Sequence, residues 1–281
     1  MSDVIGVIGL GVMGSAMSSH MIAAGHDVHG FDTDPDKMAV FGGVGASSIA
    51  DVVAQSNIVL LSLPTPAALE AVTAEIVAAA PDGLIVVEMG TLSLEDKMAA
   101  QAKLAAAGVV MLDAPVSGTG LQAADATLVV YCSGPTEAYD RARPFFDLLS
   151  QKSYDLGEFG NGSRMKFVAN LLVAVHTLAT AEAHGLGAAA GLDPQLVQEV
   201  ISSGVGSSKI FDIRGPMVAA DTYEPPSARL AIILKDAGII ADFARNTGAI
   251  TPLLDAAIPL YERGKAEGIG DLDAAALRKL L

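Results

Sequence analysis

The chain reads as an α/β protein, with a doubly wound parallel sheet over residues 1–161 and then an all-helical domain over 162–281, joined by a long helix. Three observations predict this. Short β-branched runs alternate with Ala-rich helical stretches through the first half, a glycine-rich turn separates the first strand from the first helix, and beyond Gly162 only helical patterning remains.

Strands are expected at 4–8, 28–31, 58–63, 84–88, 109–113 and 127–132, and helices at 12–24, 49–55, 66–79, 93–107 and 136–149. Parallel neighbours need a crossover segment between them, so this alternation predicts helices on both faces of one sheet. In the second half, helices are expected at 163–190, 194–202, 228–247, 251–267 and 273–280. Gly191, the cluster from Gly204 to Ser208, Pro225-Pro226 and the segment from Gly268 to Gly270 punctuate them.

Composition narrows the function. The 281 residues are 51% hydrophobic and 17% charged, with a formal net charge of −15, which excludes a disordered chain. Nucleic acid is not an expected partner, because phosphate binding needs a clustered basic surface. The lone cysteine, Cys132, excludes an intramolecular disulfide and any multi-cysteine metal site, and a reducing cytoplasm is the simple reading. The N-terminal segment carries Asp3 and four early glycines, so it resembles neither a signal peptide nor a span. No stretch offers the roughly 20 continuous apolar residues of a membrane helix.

Residues 167–181 contain no Asp, Glu, Lys or Arg. A helix apolar around most of its circumference has no solvent face, so a second copy is expected against it, in a homodimer or homotetramer.

The segment Gly9-Leu10-Gly11-Val12-Met13-Gly14 is GxGxxG directly after a strand and opening a helix. Gly9 allows the tight turn, Gly11 lets backbone approach a pyrophosphate, and Gly14 lets helix and strand pack closely. The next strand ends in Asp32, about 20 residues on, where a carboxylate accepts the adenosine ribose hydroxyls. A carboxylate there repels a 2′-phosphate, and Thr33-Asp34-Pro35 supplies no arginine to hold one, so NAD is expected over NADP. An S-adenosylmethionine-dependent methyltransferase could share this turn and acid, so the remaining motifs must decide.

They favour a dehydrogenase. Asp113-Ala114-Pro115-Val116-Ser117-Gly118-Thr119 follows a strand at the carboxyl edge of the sheet, where backbone N–H groups and the Ser117 hydroxyl can cradle a carboxylate. Lys166 and Asn170 lie four residues apart at the start of the uncharged helix and share one of its faces. A lysine opening a buried run is costly unless used or paired.

The segments GVIGLGVMG, DAPVSGT and GNGSRMKFVANLL, with the late Leu234-Lys235-Asp236, resemble in order the four signature segments of the β-hydroxyacid dehydrogenase family. The match spans nearly the whole chain. The resemblance implies a Rossmann domain, a helical domain and NAD(P)-linked oxidation of a small carboxylate-bearing alcohol, as in 3-hydroxyisobutyrate dehydrogenase-like members. It implies Lys166 as catalytic acid/base, Ser117 and Gly118 as carboxylate anchors with Thr119 beside them, and Asn170 as a substrate-orienting amide. It further places Leu63 and Pro64 beside the adenosine or ribose, Thr91 on the nicotinamide side and Lys235 near the cofactor.

The residue types suit the chemistry. Oxidising an alcohol by hydride transfer requires that its proton leave too, and a base beside the hydroxyl takes it. Free lysine titrates near about 10.4, and the apolar run after Lys166 can lower that by desolvation. Two departures touch the substrate pocket, because Thr119 stands where the family commonly has glycine and Ala228 where many members have an aromatic residue.

The alternatives are an NADPH-dependent glyoxylate/succinic semialdehyde or tartronate semialdehyde reductase, an imine-reducing relative and a nucleotide-sensing scaffold. Asp32 argues against the first and Lys166 against the others. No metal site is expected, since His176 and His184 have no Glu or Cys at ligand spacing.

Overall fold

The chain begins with β1 (Ile5–Ile8), α1 (Val12–Ala23), β2 (Val28–Phe31), α2 (Pro35–Ala39) and β3 (Val44–Gly45). It continues through α3 (Ile49–Gln55), β4 (Ile58–Leu61), α4 (Pro66–Ala79), β5 (Ile85–Glu88), α5 (Leu94–Ala106) and β6 (Val110–Asp113). These six strands form one all-parallel sheet in the order β3-β2-β1-β4-β5-β6. The computed structural model describes residues 4–79 and 82–281.

Residues of β1, β4 and β5 are buried throughout, because helices cover both faces of a parallel sheet. Their period of two divides the core. Ile5, Val7, Ile58, Leu60, Ile85 and Val87 join one cluster with Met17, Met21 and Phe146, while Ile8, Val59, Leu61 and Val86 join another with Val52, Val53, Leu69 and Leu104. Strand order reverses between β1 and β4, and ligands of open α/β sheets bind beyond the carboxyl ends of the strands at such a point.

After β6 the pattern departs from expectation. β7 (Val116–Ser117), α6 (Gly120–Ala124), β8 (Leu128–Cys132), α7 (Thr136–Leu149) and β9 (Ser150–Asp155) follow. The strand expected at 127–132 does not extend the large sheet. It sits at the centre of a three-stranded sheet, antiparallel to β7 and parallel to β9. The connection from β7 to β8 holds only the five-residue α6, too short for a parallel crossover of about a dozen residues or more, and the two strands pair antiparallel. The short β3 and β7, the largely polar β9 (SQKSYD) and the five-residue α2 and α6 carried no periodic signal.

The 29-residue α8 (Asn161–Ala189) crosses the boundary between two compact units, Met1–Lys166 and Phe167–Leu281. The expected division stood at 161/162. Beyond α8 lie α9 (Pro194–Ser202), α10 (Lys209–Ala219), α11 (Leu230–Thr247), α12 (Pro252–Ala266) and a 3₁₀ helix over Ala274–Leu280. The helix α10 is absent from the sequence expectation; it carries Gly215 and Pro216 in its interior, which weaken the helical pattern.

The second unit is held by specific polar links as well as apolar packing. The Tyr261 hydroxyl donates to the Ala174 carbonyl at 2.9 Å, and the Phe167 and Phe243 rings meet at 5.1 Å. Buried Arg214 donates to Asp273 at 3.1 Å, and Asp273 also accepts from Ser227, Ala228 and Ala275. Among the described residues no helix is long and apolar enough to cross a membrane.

Candidate active site

The glycine turn is built by contacts only glycine allows. Gly9 has φ +93°, and a Cβ on Gly14 would lie 1.9 Å from the Gly9 carbonyl oxygen, so α1 packs directly onto the end of β1. Gly11 is different. A Cβ there would meet nothing within 4 Å, and Gly11 is the N-cap of α1 with no side-chain cap. Packing does not demand glycine at 11, but close approach of a phosphate to the helix N-terminus does. Leu10 is buried, Met13 half-buried and Val12 exposed.

Asp32, expected to bind ribose, is held against this turn. Its Oδ2 accepts the Leu10 N–H at 2.8 Å and its Oδ1 accepts the Asp34 N–H at 2.9 Å. Partial burial pushes its pKa up, but those two N–H groups and the Lys37 ammonium outweigh it and hold the carboxyl below its ordinary value. Lys37 lies 3.4 Å from both carboxylate oxygens. Leu63 is half-buried and Pro64 exposed, just past the end of β4. The residues present therefore fit a dinucleotide.

Ser117 ends β7, paired with Val129 of β8. Gly118 has φ +138°, and a Cβ there would strike the Leu128 side chain at 2.6 Å. The Thr119 hydroxyl is engaged as the N-cap of α6, donating to Gln122 at 2.6 Å and accepting the Leu121 N–H at 3.3 Å. Gly120, the first residue of α6, follows.

The start of α8 is pulled against the end of β6. A Cβ on Gly162 would fall 2.2 Å from the Tyr131 carbonyl oxygen and 2.6 Å from that of Asp113. The Asp113 carboxylate accepts the Ser163 N–H at 2.7 Å and the Ser163 hydroxyl at 2.8 Å. One turn on, Lys166 is 7% exposed. Its neighbours Arg164 and Met165 face solvent, and Arg164 bonds Asn161 at 2.8 Å.

In the second unit, the buried Asn170 amide donates to Asp236 Oδ2 at 2.8 Å. Lys235, about four-tenths exposed, pairs with Asp236 at 3.2 Å. Thr91, half-buried, follows Gly90 in the first unit. Burial first, then the Asp113 and Asp155 carboxylates, push the Cys132 thiol well up, so it is inert at neutral pH. Among the described residues no three metal-ligating side chains cluster.

Comparison with known proteins decides the family. Residues 4–157 match the NAD-binding domain of 6-phosphogluconate dehydrogenase, and residues 160–281 match the family described as the NAD-binding domain of NADP-dependent 3-hydroxyisobutyrate dehydrogenase. The chain is 36% identical to L-threonate dehydrogenase of Cupriavidus necator, over 100% of this chain and 96% of that protein. The chain belongs to the β-hydroxyacid dehydrogenase family. This hydroxyacid dehydrogenase is also 30% identical to the chloroplastic glyoxylate/succinic semialdehyde reductase 2 of Arabidopsis thaliana, over 99% of the chain and 79% of that protein. It is similar to the solved structure of Mycobacterium tuberculosis 3-hydroxyisobutyrate dehydrogenase with L-serine, at TM-score 0.91 and 31% identity over 100% of this chain and 99% of that one. It is thus an oxidoreductase with a nicotinamide cofactor.

Three polar residues of this hydroxyacid dehydrogenase have no role in the sequence analysis, although Asp113 opens the DAPVSGT segment. Glu88, Lys97 and Asp113 are fully buried at the carboxyl ends of β5 and β6. A signal existed for one of them, because Leu94, Lys97, Ala100 and Leu104 share the buried face of α5 and put a cation on an apolar stripe.

Proposed function

We propose that the protein is an NAD-dependent dehydrogenase of a small β-hydroxyacid, interconverting it with a semialdehyde or keto acid, with Lys166 as the general acid/base. The observation that carries this is the burial of Lys166 one turn into α8, on the same helix face as Asn170. A bound nicotinamide supplies the hydride acceptor. The glycine turn and Asp32 hold the dinucleotide, with Leu63 and Pro64 beside its adenosine half, Thr91 towards the nicotinamide and Lys235 near the cofactor. Ser117 and Gly118 receive the substrate carboxylate, with Thr119 beside them. Asn170, its amide oriented by Asp236, turns the substrate so that its hydroxyl faces the Lys166 amine.

In oxidation the neutral Lys166 amine accepts the hydroxyl proton, and in reduction the ammonium returns it to the carbonyl oxygen. The test is a spectrophotometric screen of L-threonate, 3-hydroxyisobutyrate and L-serine with NAD, and of succinic semialdehyde and glyoxylate with NADH and NADPH. Turnover of a hydroxyacid with NAD is expected. Lack of turnover despite NAD binding overturns the reading.

A second reading, an NADPH-dependent semialdehyde reductase, draws on Lys37, whose ammonium beside Asp32 could meet a 2′-phosphate. A KM for NADP equal to or below that for NAD would establish it. A homodimer or homotetramer is proposed as the working state, because Val168, Leu172 and Leu186 of α8 are exposed in the single chain. The buried, unpaired thiol of Cys132 suits a reducing cytoplasm.

A further inference from the structure

Three charged side chains, Glu88, Lys97 and Asp113, have no exposed surface, yet none is a cofactor or substrate ligand in the mechanism above. Lys97 Nζ lies 2.5 Å from Glu88 Oε2 and 2.8 Å from Asp113 Oδ1, and it donates to the Gly90 carbonyl at 2.8 Å. Glu88 Oε1 in turn accepts the Gly90 N–H at 2.8 Å. One cation therefore ties two carboxylates to the loop that carries Thr91.

The far side of the cluster reaches α8. Asp113 takes both polar groups of Ser163, three residues before Lys166, and Ser133 accepts the Gly162 N–H at 2.9 Å. The trio carries one negative charge in excess, and the first turn of α8, with its positive helix end, offsets it at Asp113. Burial by itself would lower the Lys97 pKa, but Glu88 and Asp113 more than compensate and raise it, so Lys97 stays an ammonium and is no proton acceptor. Burying three charges is a poor way to gain stability, since an apolar set of equal volume commonly does as well. What such a cluster provides is directional bonds, and here they end on the segments that carry Thr91 and Lys166.

We propose that Lys97 is a positioning residue, which through Asp113 and Ser163 sets the first turn of α8, and with it the Lys166 amine, and through Gly90 sets the Thr91 loop. This rests on the role given to Lys166 above. Hydride and proton transfer tolerate little displacement, and a misplacement of about 1 Å can cost about 100-fold in rate.

The experiment compares Lys97→Met, Ser163→Ala, the double variant and Lys166→Met, with NAD and whichever of L-threonate, 3-hydroxyisobutyrate or L-serine turns over faster in the wild type. Expected are a kcat loss of roughly 30-fold or more for Lys97→Met and roughly fivefold for Ser163→Ala, with NADH affinity of Ser163→Ala within about twofold of wild type. The pH limb of kcat that Lys166→Met abolishes should move in both. The double variant should be no slower than Lys97→Met alone, because both act through one chain of bonds. Ser163→Ala leaves every charge paired, so it reads the coupling even where Lys97→Met does not fold. Variants with a lowered melting temperature but wild-type kcat and pH limb overturn the positioning role while leaving Lys166 in place. Wild-type turnover in Lys166→Met instead overturns the reading on which it rests.

Discussion

The Asn170 amide nitrogen donates to Asp236 Oδ2 at 2.8 Å, joining residues 66 positions apart inside the helical unit. This bond fixes which way the amide faces. Removing it by Asp236→Ala frees Asn170 to rotate, and kcat/KM for the hydroxyacid is expected to fall about 10- to 100-fold. Steady-state kinetics with saturating NAD, alongside Asn170→Ala, checks whether the two variants lose activity to a similar extent.

Replacing Lys166 with methionine keeps much of the side-chain volume and removes the amine. A fall in kcat of at least about 100-fold is expected, with NADH still binding. Isothermal titration for binding and initial rates for turnover separate the two quantities.

Asp32→Ser removes the carboxylate proposed to bind the ribose and leaves Lys37 paired with Asp34 alone. The ratio of kcat/KM for NADP to that for NAD is expected to rise at least about tenfold, since the repulsion of a 2′-phosphate disappears. Paired titrations of the two dinucleotides measure it.

Gly162→Ala places a methyl group against two backbone carbonyls that cannot swing aside. The start of α8 must move, at a cost of about 1–3 kcal/mol, and kcat should drop with it. Urea unfolding and initial rates on one preparation test both.

Asp273 accepts the buried Arg214 guanidinium together with four shorter or comparable bonds from Ser227, Ala228 and Ala275. Burial raises its pKa, but Arg214 first and the other donors after it outweigh this and leave it below the ordinary 3.8. A depressed native pKa means the contribution is complete above the unfolded carboxyl value, about 3.9, and is lost as pH falls through the native one. Asp273→Asn should cost about 3–5 kcal/mol at pH 7 by stranding Arg214. It should also flatten the stability loss that the wild type shows below about pH 4. Urea titrations at pH 7 and across the acid range decide this.

Elements with a strong period were legible in the chain. α3, α4, α7 and α9 fall where their patterns put them, and the glycine turn with Asp32 follows from steric and ribose-binding rules that act within about 30 residues. The roles proposed for Ser117, Lys166 and Asn170 come from the resemblance. Not legible were β7, β9 and the placement of β8, which depend on short pairings between distant segments.

The amino-acid order alone determined the alternation of strands and helices, the dinucleotide-type turn and the run of uncharged residues in α8, because periodicity and backbone sterics are local properties. Only the folded chain decided that Asn170 meets Asp236 and that Lys97 is enclosed by Glu88 and Asp113. Charge pairing inside a protein depends on which side chains lose water together, and that is set by packing between segments far apart in the chain.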